Sequence, residues 1–188
     1  MWHGMGTVLV LLAPALRAAR ASNAVSRKTH ILAILADDFG WNDAGWHAES
    51  GGGEDEVART PNMDKLVESG MELDRNYAFK FCSPTRSAIQ SGRNPIHVNV
   101  QNMDPLNVNP EDPVAGFSAV ARNFTGLGAV MKKGGYKTHF AGKWDCGMAT
   151  PDHTPMGRGY DESLIYFHHM CVPDCAAFVW LLWHTPAV

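Results

Sequence analysis

The chain has 188 residues, of which 45% are hydrophobic and 19% are charged, and its net charge is −3. This length and composition are typical of one globular domain with a hydrophobic core, and they exclude a disordered chain. Acidic and basic residues are mixed along the sequence without a basic block, so we expect no nucleic-acid partner. Four cysteines are too few to indicate a disulfide scaffold.

The N-terminal segment has the pattern of a secretory signal peptide. Thr7–Leu16, "TVLVLLAPAL", is an apolar run of the length of a signal-peptide core and is too short to span a membrane. Ala19 and Ala21 place small residues at the positions that a signal peptidase reads. We therefore expect residues 1–21 to be a leader, although the run could also form a buried strand or helix. Asn123–Thr125, "NFT", is a glycosylation sequon that such a protein could use.

The first elements after the leader are predicted to be a strand, a helix and a second strand. His30–Asp38, "HILAILADD", is continuously apolar and ends in two carboxylates. Continuous apolarity is typical of a strand that is covered on both faces, as in a parallel sheet. Arg59–Gly70 predicts a short helix, because Pro61 suits a first turn and Gly70 suits a helix end. Met71–Phe79 then has the pattern of a strand.

The stretch Phe81–Arg93, "FCSPTRSAIQSGR", predicts a second helix. Ser83 can act as its cap, Pro84 suits the first helical position and Gly92 suits the end. Pro95–Gly116 is rich in Asn, Pro and Asp, which predicts a long loop.

The second half of the chain continues the alternation of helices and strands. Leu127–Lys133 predicts a helix, and Tyr136–Trp144 predicts a strand followed by a turn. This alternation predicts an α/β fold with a mainly parallel sheet flanked by helices. Near the C-terminus, Ala176–Trp183, "AAFVWLLW", is too short to span a membrane and could form one more strand.

Chemically capable side chains fall at the ends of these predicted elements. Asp37 and Asp38 follow a strand, Cys82 precedes a helix and Lys143 follows a strand. Ligands of open α/β sheets bind beyond the carboxyl ends of the strands. The placement therefore favours one common site.

The residue types at this site indicate a cation and an anion. Adjacent carboxylates such as Asp37 and Asp38 suit calcium or magnesium, although they could also only stabilise a turn. A helix N-terminus would lower the pKa of the Cys82 thiol, and Arg86, one turn along, could contact an anion held there. A single cysteine is more often a small buried apolar residue. The residues alone thus indicate a metal-assisted anion site.

Four segments of the chain, in the same order, resemble the sulfatase family. The stretch "CSPTR" matches the C-x-P-x-R signature of that family. The resemblance extends from about His30 to His169, and it is closest to the arylsulfatase B-like branch. The four segments are "LADDFGWND" (Leu35–Asp43), "TPNMDKL" (Thr60–Leu66), "CSPTR" (Cys82–Arg86) and "GGYKTHFAGKW" (Gly134–Trp144).

The resemblance implies an alkaline-phosphatase-like fold and a sulfuric ester hydrolase that acts on a sulfated glycan or an aryl sulfate. Cys82 would be oxidised to formylglycine by the formylglycine-generating enzyme of the endoplasmic reticulum. One hydroxyl of the hydrated aldehyde would attack sulfur and displace the alcohol, leaving a covalent sulfate ester, and loss of a proton from the second hydroxyl would then expel sulfate and restore the aldehyde. Asp37 and Asp38, together with residue 82, would hold calcium. Arg86 would stabilise the deprotonated nucleophile, and Lys143 would neutralise the sulfate oxygens. The implied location is the secretory pathway, either extracellular or lysosomal.

Two departures from the family pattern lead to alternatives. Asp145 stands where many members have a substrate-contacting histidine, so it is not assigned to catalysis. Residues 30–170 are expected to be a partial catalytic domain and residues 171–188 a divergent tail, because the second pair of calcium ligands is missing. The alternative is therefore a truncated, inactive secreted fragment. A related phosphatase with two zinc ions is disfavoured by Cys82, because those enzymes present serine or threonine.

Overall fold

The computed structural model describes residues 8–9, 28–50, 59–99, 120–167 and 178–184, with the backbone alone at 8–9, 48–50 and 178–184. The strands are β1 (Val8–Leu9), β2 (Ile31–Ala36), β3 (Lys137–Lys143), β4 (Glu162–Tyr166) and β5 (Phe178–His184), and the α-helices are α1 (Pro61–Ser69), α2 (Cys82–Ser91) and α3 (Leu127–Lys133). Helices α1 and α3 and strands β2 and β3 lie where the sequence predicts them.

The five strands form one sheet in the order β1-β2-β5-β3-β4. Strand β5 is antiparallel to both of its neighbours, β2 and β3, and β4 is parallel to β3. Strands β2, β3 and β4 therefore share one direction. The predicted α/β fold is confirmed. The pairing differs from a simple parallel sheet, because β5 separates β2 from β3 and β3–β4 is the one parallel pair of neighbours in the described sheet.

The described core is built on three aromatic side chains from β3 and the segments that follow it. Phe140 meets Trp144 edge-on at 5.1 Å and Tyr160 at 5.5 Å between ring centroids. Edge-on contacts of this kind add to the free energy gained by burial. The hydroxyl of Tyr160 donates to Gln90 Oε1 at 2.9 Å, which links the core to α2.

Helix α2 begins at Cys82, two residues before the predicted first helical residue. Phe81 is the extended N-cap residue, with φ −135°. Pro84 is tolerated in the first turn because the first amides of a helix have no partner within the helix. The predicted end is confirmed, since Gly92 has φ +66° and its amide donates to the carbonyl of Ala88 at 2.8 Å.

The strand predicted at Met71–Phe79 is wrong. The segment contains a turn and one isolated bridge residue, Tyr77, instead of a strand. Met71 is 78% exposed and Leu73 is 60% exposed, so the segment runs along the surface. A strand needs a neighbour that takes its backbone hydrogen bonds, and the apolar pattern alone does not supply one.

Several predictions of chain organisation lie largely outside the described residues. The leader at residues 1–21 is represented by β1 alone, which pairs with β2, and its removal stays a prediction. The predicted loop begins with a 3₁₀ turn at Pro95–His97, and its residues from 100 onward are not described. In the tail at 171–188, the alternative of a strand is confirmed at β5.

A proline in β5 tests whether this strand joins the two parts of the sheet. Leu181 lies opposite Ala33 of β2 and Phe140 of β3, so Leu181→Pro removes a backbone donor from an internal strand. We expect the free energy of unfolding in urea to fall by about 3 kcal/mol, the order of the cost of an internal proline. Leu181→Ala keeps the N–H and should cost less. Equal losses in the two variants would contradict this role of the backbone.

Candidate active site

The carboxylate of Asp37 is where three elements of the fold meet. Asp37 and Asp38 form the turn directly after β2, and Asp38 has φ +52°, a conformation that aspartate tolerates better than most residues. Asp37 Oδ1 lies 3.0 Å from a terminal guanidinium nitrogen of Arg86 on α2, and its Oδ2 lies 2.9 Å from Nζ of Lys143, the last residue of β3. The predicted convergence of strand ends and helix start is therefore seen among these side chains.

The two cations bound to Asp37 are buried. The side chains of Arg86 and Lys143 are 4% and 3% exposed, and Arg86 also donates to the carbonyl oxygen of Lys143 at 2.7 Å. A buried cation is stable only when it is paired and hydrogen-bonded, and Asp37 does this for both. Asp37 and the hydrogen bond from Arg86 to the Lys143 carbonyl thus join α2 to the end of β3.

The pKa values of Asp37 and Lys143 follow from this pairing. Burial acts to raise the pKa of Asp37, but the charge of Arg86 and the hydrogen bond from Lys143 outweigh it and hold this pKa below its usual value. Burial acts to lower the pKa of Lys143, but the hydrogen bond and charge of Asp37 raise it above its usual value. Both groups are therefore charged at neutral pH.

Cys82 lies beside the two aspartates at the first position of α2. Its Sγ atom and one carboxylate oxygen each of Asp37 and Asp38 all lie within 4.8 Å of one another. Burial and the charge of Asp37 raise the pKa of the Cys82 thiol, although Lys143 acts in the opposite direction. The expected lowering of this pKa by the helix N-terminus is thus wrong, and Cys82 is a neutral thiol at pH 7.

A pocket lies at this cluster, and one of its lining residues, Lys80, was not predicted from the sequence. Asp37, Asp38, Cys82 and Arg86 line it, and so does the exposed Lys80. Lys80 directly precedes the "FCSPTR" stretch, and this position is the sequence signal that could have identified it as a site residue.

Two residues discussed from the sequence lie behind the pocket rather than in its lining. The described lining does not include Lys143, whose ammonium group contacts Asp37 and the Cys82 thiol, nor Asp145, which is 1% exposed. Of the predicted site residues, the structure therefore places Asp37, Asp38, Cys82 and Arg86 at the surface of the pocket, and Lys143 in direct contact with two of them, Asp37 and Cys82.

Comparison with known proteins identifies the family of this chain. A family model named Sulfatase matches residues 29–171, which include all the residues of the candidate site. The chain belongs to the sulfatase family. Among solved structures, this sulfatase chain is similar to Ps i-CgsB in its complex with k-i-k-neocarrahexaose, with a TM-score of 0.54 and 30% sequence identity over 70% of this chain and 26% of that one.

Curated sulfatases are similar over most of this chain. Arylsulfatase J of Mus musculus is 33% identical over 159 residues, which are 80% of this chain and 24% of the mouse protein. N-acetylgalactosamine-6-sulfatase of Mus musculus is 32% identical over 156 residues, which are 82% of this chain and 28% of that protein. This sulfatase chain thus spans about a quarter of the length of these relatives.

Replacing Asp37 by asparagine tests the central ion pairs. Asp37→Asn keeps the size of the side chain but removes the negative charge between Arg86 and Lys143. Because both cations are buried, we expect the free energy of unfolding at pH 7 to fall by about 3 kcal/mol. Urea unfolding measures this, with Asp74→Asn as the control, since the Asp74 side chain is 72% exposed. An equal effect of the two substitutions would contradict the assigned role of Asp37.

The same pair of variants gives a defined pH dependence. The folded pKa of Asp37 lies below its unfolded value of 3.8, so its stabilising contribution is complete above about pH 4. The contribution is lost as the pH falls through the folded pKa. The stability difference between wild type and Asp37→Asn should therefore be constant from pH 7 to pH 5 and shrink below pH 4. A difference that did not change in acid would count against an ionised Asp37.

Proposed function

We propose that this chain carries part of the active site of a sulfuric ester hydrolase whose nucleophile is formylglycine made from Cys82. The observation that carries the proposal is the position of Cys82, within 4.8 Å of ligand oxygens of Asp37 and Asp38 and at the start of the "CSPTR" helix. Membership of the sulfatase family supports the reaction class. The sulfatase reaction, the modification and the metal of this chain are therefore proposed together.

The donor set fits calcium best after oxidation of Cys82. Calcium prefers six to eight oxygen ligands, and a thiol sulfur is a poor match for such a hard cation. Asp37 and Asp38 already offer carboxylate oxygens, and an oxygen at position 82 would add a third matching donor. Asp37 can accept a cation while it pairs with Arg86 and Lys143, because each carboxylate oxygen has more than one lone pair. Calcium held there would polarise the sulfate oxygens.

The protein residues around this position supply charge and orientation. The hydrated aldehyde at residue 82 would provide an oxygen nucleophile where the thiol now lies. Arg86 and Lys143 place two buried positive charges beside Asp37, and Lys143 also contacts Cys82. These charges favour the negative charge that develops at the nucleophile and the sulfate. Lys80, exposed at the pocket, would attract an anionic substrate.

The proposed substrate is a sulfated glycan or an aryl sulfate. One similar protein is named as an N-acetylgalactosamine-6-sulfatase, and the similar solved structure contains k-i-k-neocarrahexaose. We further propose a secretory route, because the leader at residues 1–21 would bring Cys82 to the formylglycine-generating enzyme. Asn123 of the sequon is exposed and would be accessible for glycosylation. In the described part of the chain, no helix has the length and apolarity that crossing a membrane requires.

A second candidate function is calcium or glycan binding without turnover. The described residues offer three ligand positions for a cation, fewer than calcium needs. Turnover of a chromogenic aryl sulfate by this 188-residue chain would overturn this candidate.

Expression in a eukaryotic secretory host tests the modification. We expect mass spectrometry of the peptide containing Cys82 to show replacement of the thiol by an aldehyde. Pro84→Ala disrupts the C-x-P-x-R signature and leaves the cysteine in place, so it should reduce the converted fraction. A fully unmodified thiol in the wild type, under conditions that convert a control sulfatase, would overturn the formylglycine proposal.

Calcium titration of the converted protein tests the metal site. Asp38→Asn removes a ligand charge from an exposed residue, and we expect calcium affinity in calorimetry to fall about tenfold, because ligand charge sets affinity in calcium sites. Asp74→Asn removes an equal charge away from the site and should leave the affinity unchanged. Binding that is insensitive to Asp38→Asn would exclude this residue as a ligand.

A further inference from the structure

Asp145 has an unusual position for a charged residue. It lies two residues after Lys143, has φ +50° and is 1% exposed. Its Oδ1 accepts a hydrogen bond from the hydroxyl of Ser83 at 2.9 Å, and Ser83 is fully buried. Its Oδ2 lies 3.9 Å from Nζ of Lys143. A carboxylate is costly to bury, so its contacts must compensate for the lost hydration.

The contact with Ser83 acts on the first turn of α2. Ser83 follows Cys82, and the N-cap residue of this helix, Phe81, makes no capping hydrogen bond with its side chain. The first turn also contains no acidic residue of its own. A negative charge near a helix N-terminus is favourable, because the unpaired amides there carry partial positive charge. Asp145, two residues beyond the end of β3, therefore supplies the side-chain contact and the negative charge that the first turn of α2 lacks.

We propose that Asp145 is a positioning residue that holds the first turn of α2, and with it residue 82, against the end of β3. The proposal rests on the proposed function for the role of residue 82. Asp145 is buried and is not in the described lining of the pocket, so it acts through Ser83 and does not contact the substrate. At the position where many members of the family have a histidine, this chain has a buried carboxylate that binds Ser83.

The test measures how well the first turn protects Cys82. The full chain is made without the modification, and the rate of alkylation of Cys82 by iodoacetamide is measured at one pH by peptide mass spectrometry. Asp145→Ala and Ser83→Ala should each accelerate alkylation about fivefold, since each loses a hydrogen bond to a charged group. The double variant should match the single ones, because both changes remove the same contact.

Two further variants separate positioning from charge and from general destabilisation. Asp145→Asn keeps an acceptor for Ser83 and removes the charge, so it should accelerate alkylation less than Asp145→Ala does, since the hydrogen bond is kept and only the favourable charge near the helix N-terminus is lost. Asp161→Ala removes a carboxylate that binds the amide and hydroxyl of Thr138 near the other end of β3. It should destabilise the protein without accelerating the alkylation of Cys82.

The outcomes distinguish this inference from the proposed function. Alkylation rates that are equal in the wild type, Asp145→Ala and Ser83→Ala would overturn positioning by Asp145. Equal acceleration by Asp161→Ala would also overturn it, because the effect would then follow global stability. Absence of formylglycine in the wild type would overturn the proposed function, whereas the alkylation rates would still test the tether. If Asp145→Ala does not fold, Ser83→Ala and Asp145→Asn decide the question.

Discussion

The ion pairs of Asp37 are the contacts on which the rest of the site depends. Arg86 arrives from α2 and Lys143 from β3, and each is buried against one oxygen of the same carboxylate. Asp37 is the carboxylate that both buried cations share, and it replaces much of the hydration that they lose. The helix that begins at Cys82 is therefore located by the ion pair of Arg86 with Asp37 and by the hydrogen bond from Tyr160 to Gln90.

The sheet topology explains why a lysine makes the contact between the ends of β2 and β3. Strands β2 and β3 are separated by β5, so their ends lie two strand spacings apart, about 10 Å. Asp37 has a short side chain, and Lys143 reaches back towards it from the far strand. Strand β5 sets this distance between β2 and β3, and it lies outside the residues 29–171 that match the family model. The distance between Asp37 and Lys143 in this chain therefore depends on a segment that the family match does not include.

Local sequence signals were sufficient for the elements that they determine and insufficient for contacts between distant segments. Continuous apolar residues predicted β2, and glycines predicted the end of α2, because these signals act within a few residues. The prediction at Met71–Phe79 is wrong because, among the described residues, the segment forms a turn and a single bridge at Tyr77 and is not part of the five-stranded sheet. Strand β4 was not predicted, since Leu164 is 81% exposed on an edge strand and its parallel pairing with β3 joins separate segments.

The same limit applied to the chemistry of Cys82. Its residue type, helix and neighbours at positions 37 and 38 were predictable, but the direction of its pKa shift was not, because burial and the charge of Asp37 raise this pKa. A neutral thiol beside two carboxylates is a weak nucleophile and a poor calcium ligand. An oxygen at the same position would be matched to a hard cation and flanked by the charges of Arg86 and Lys143. The surroundings that keep Cys82 protonated as a thiol thus suit the oxygen function that is proposed for residue 82.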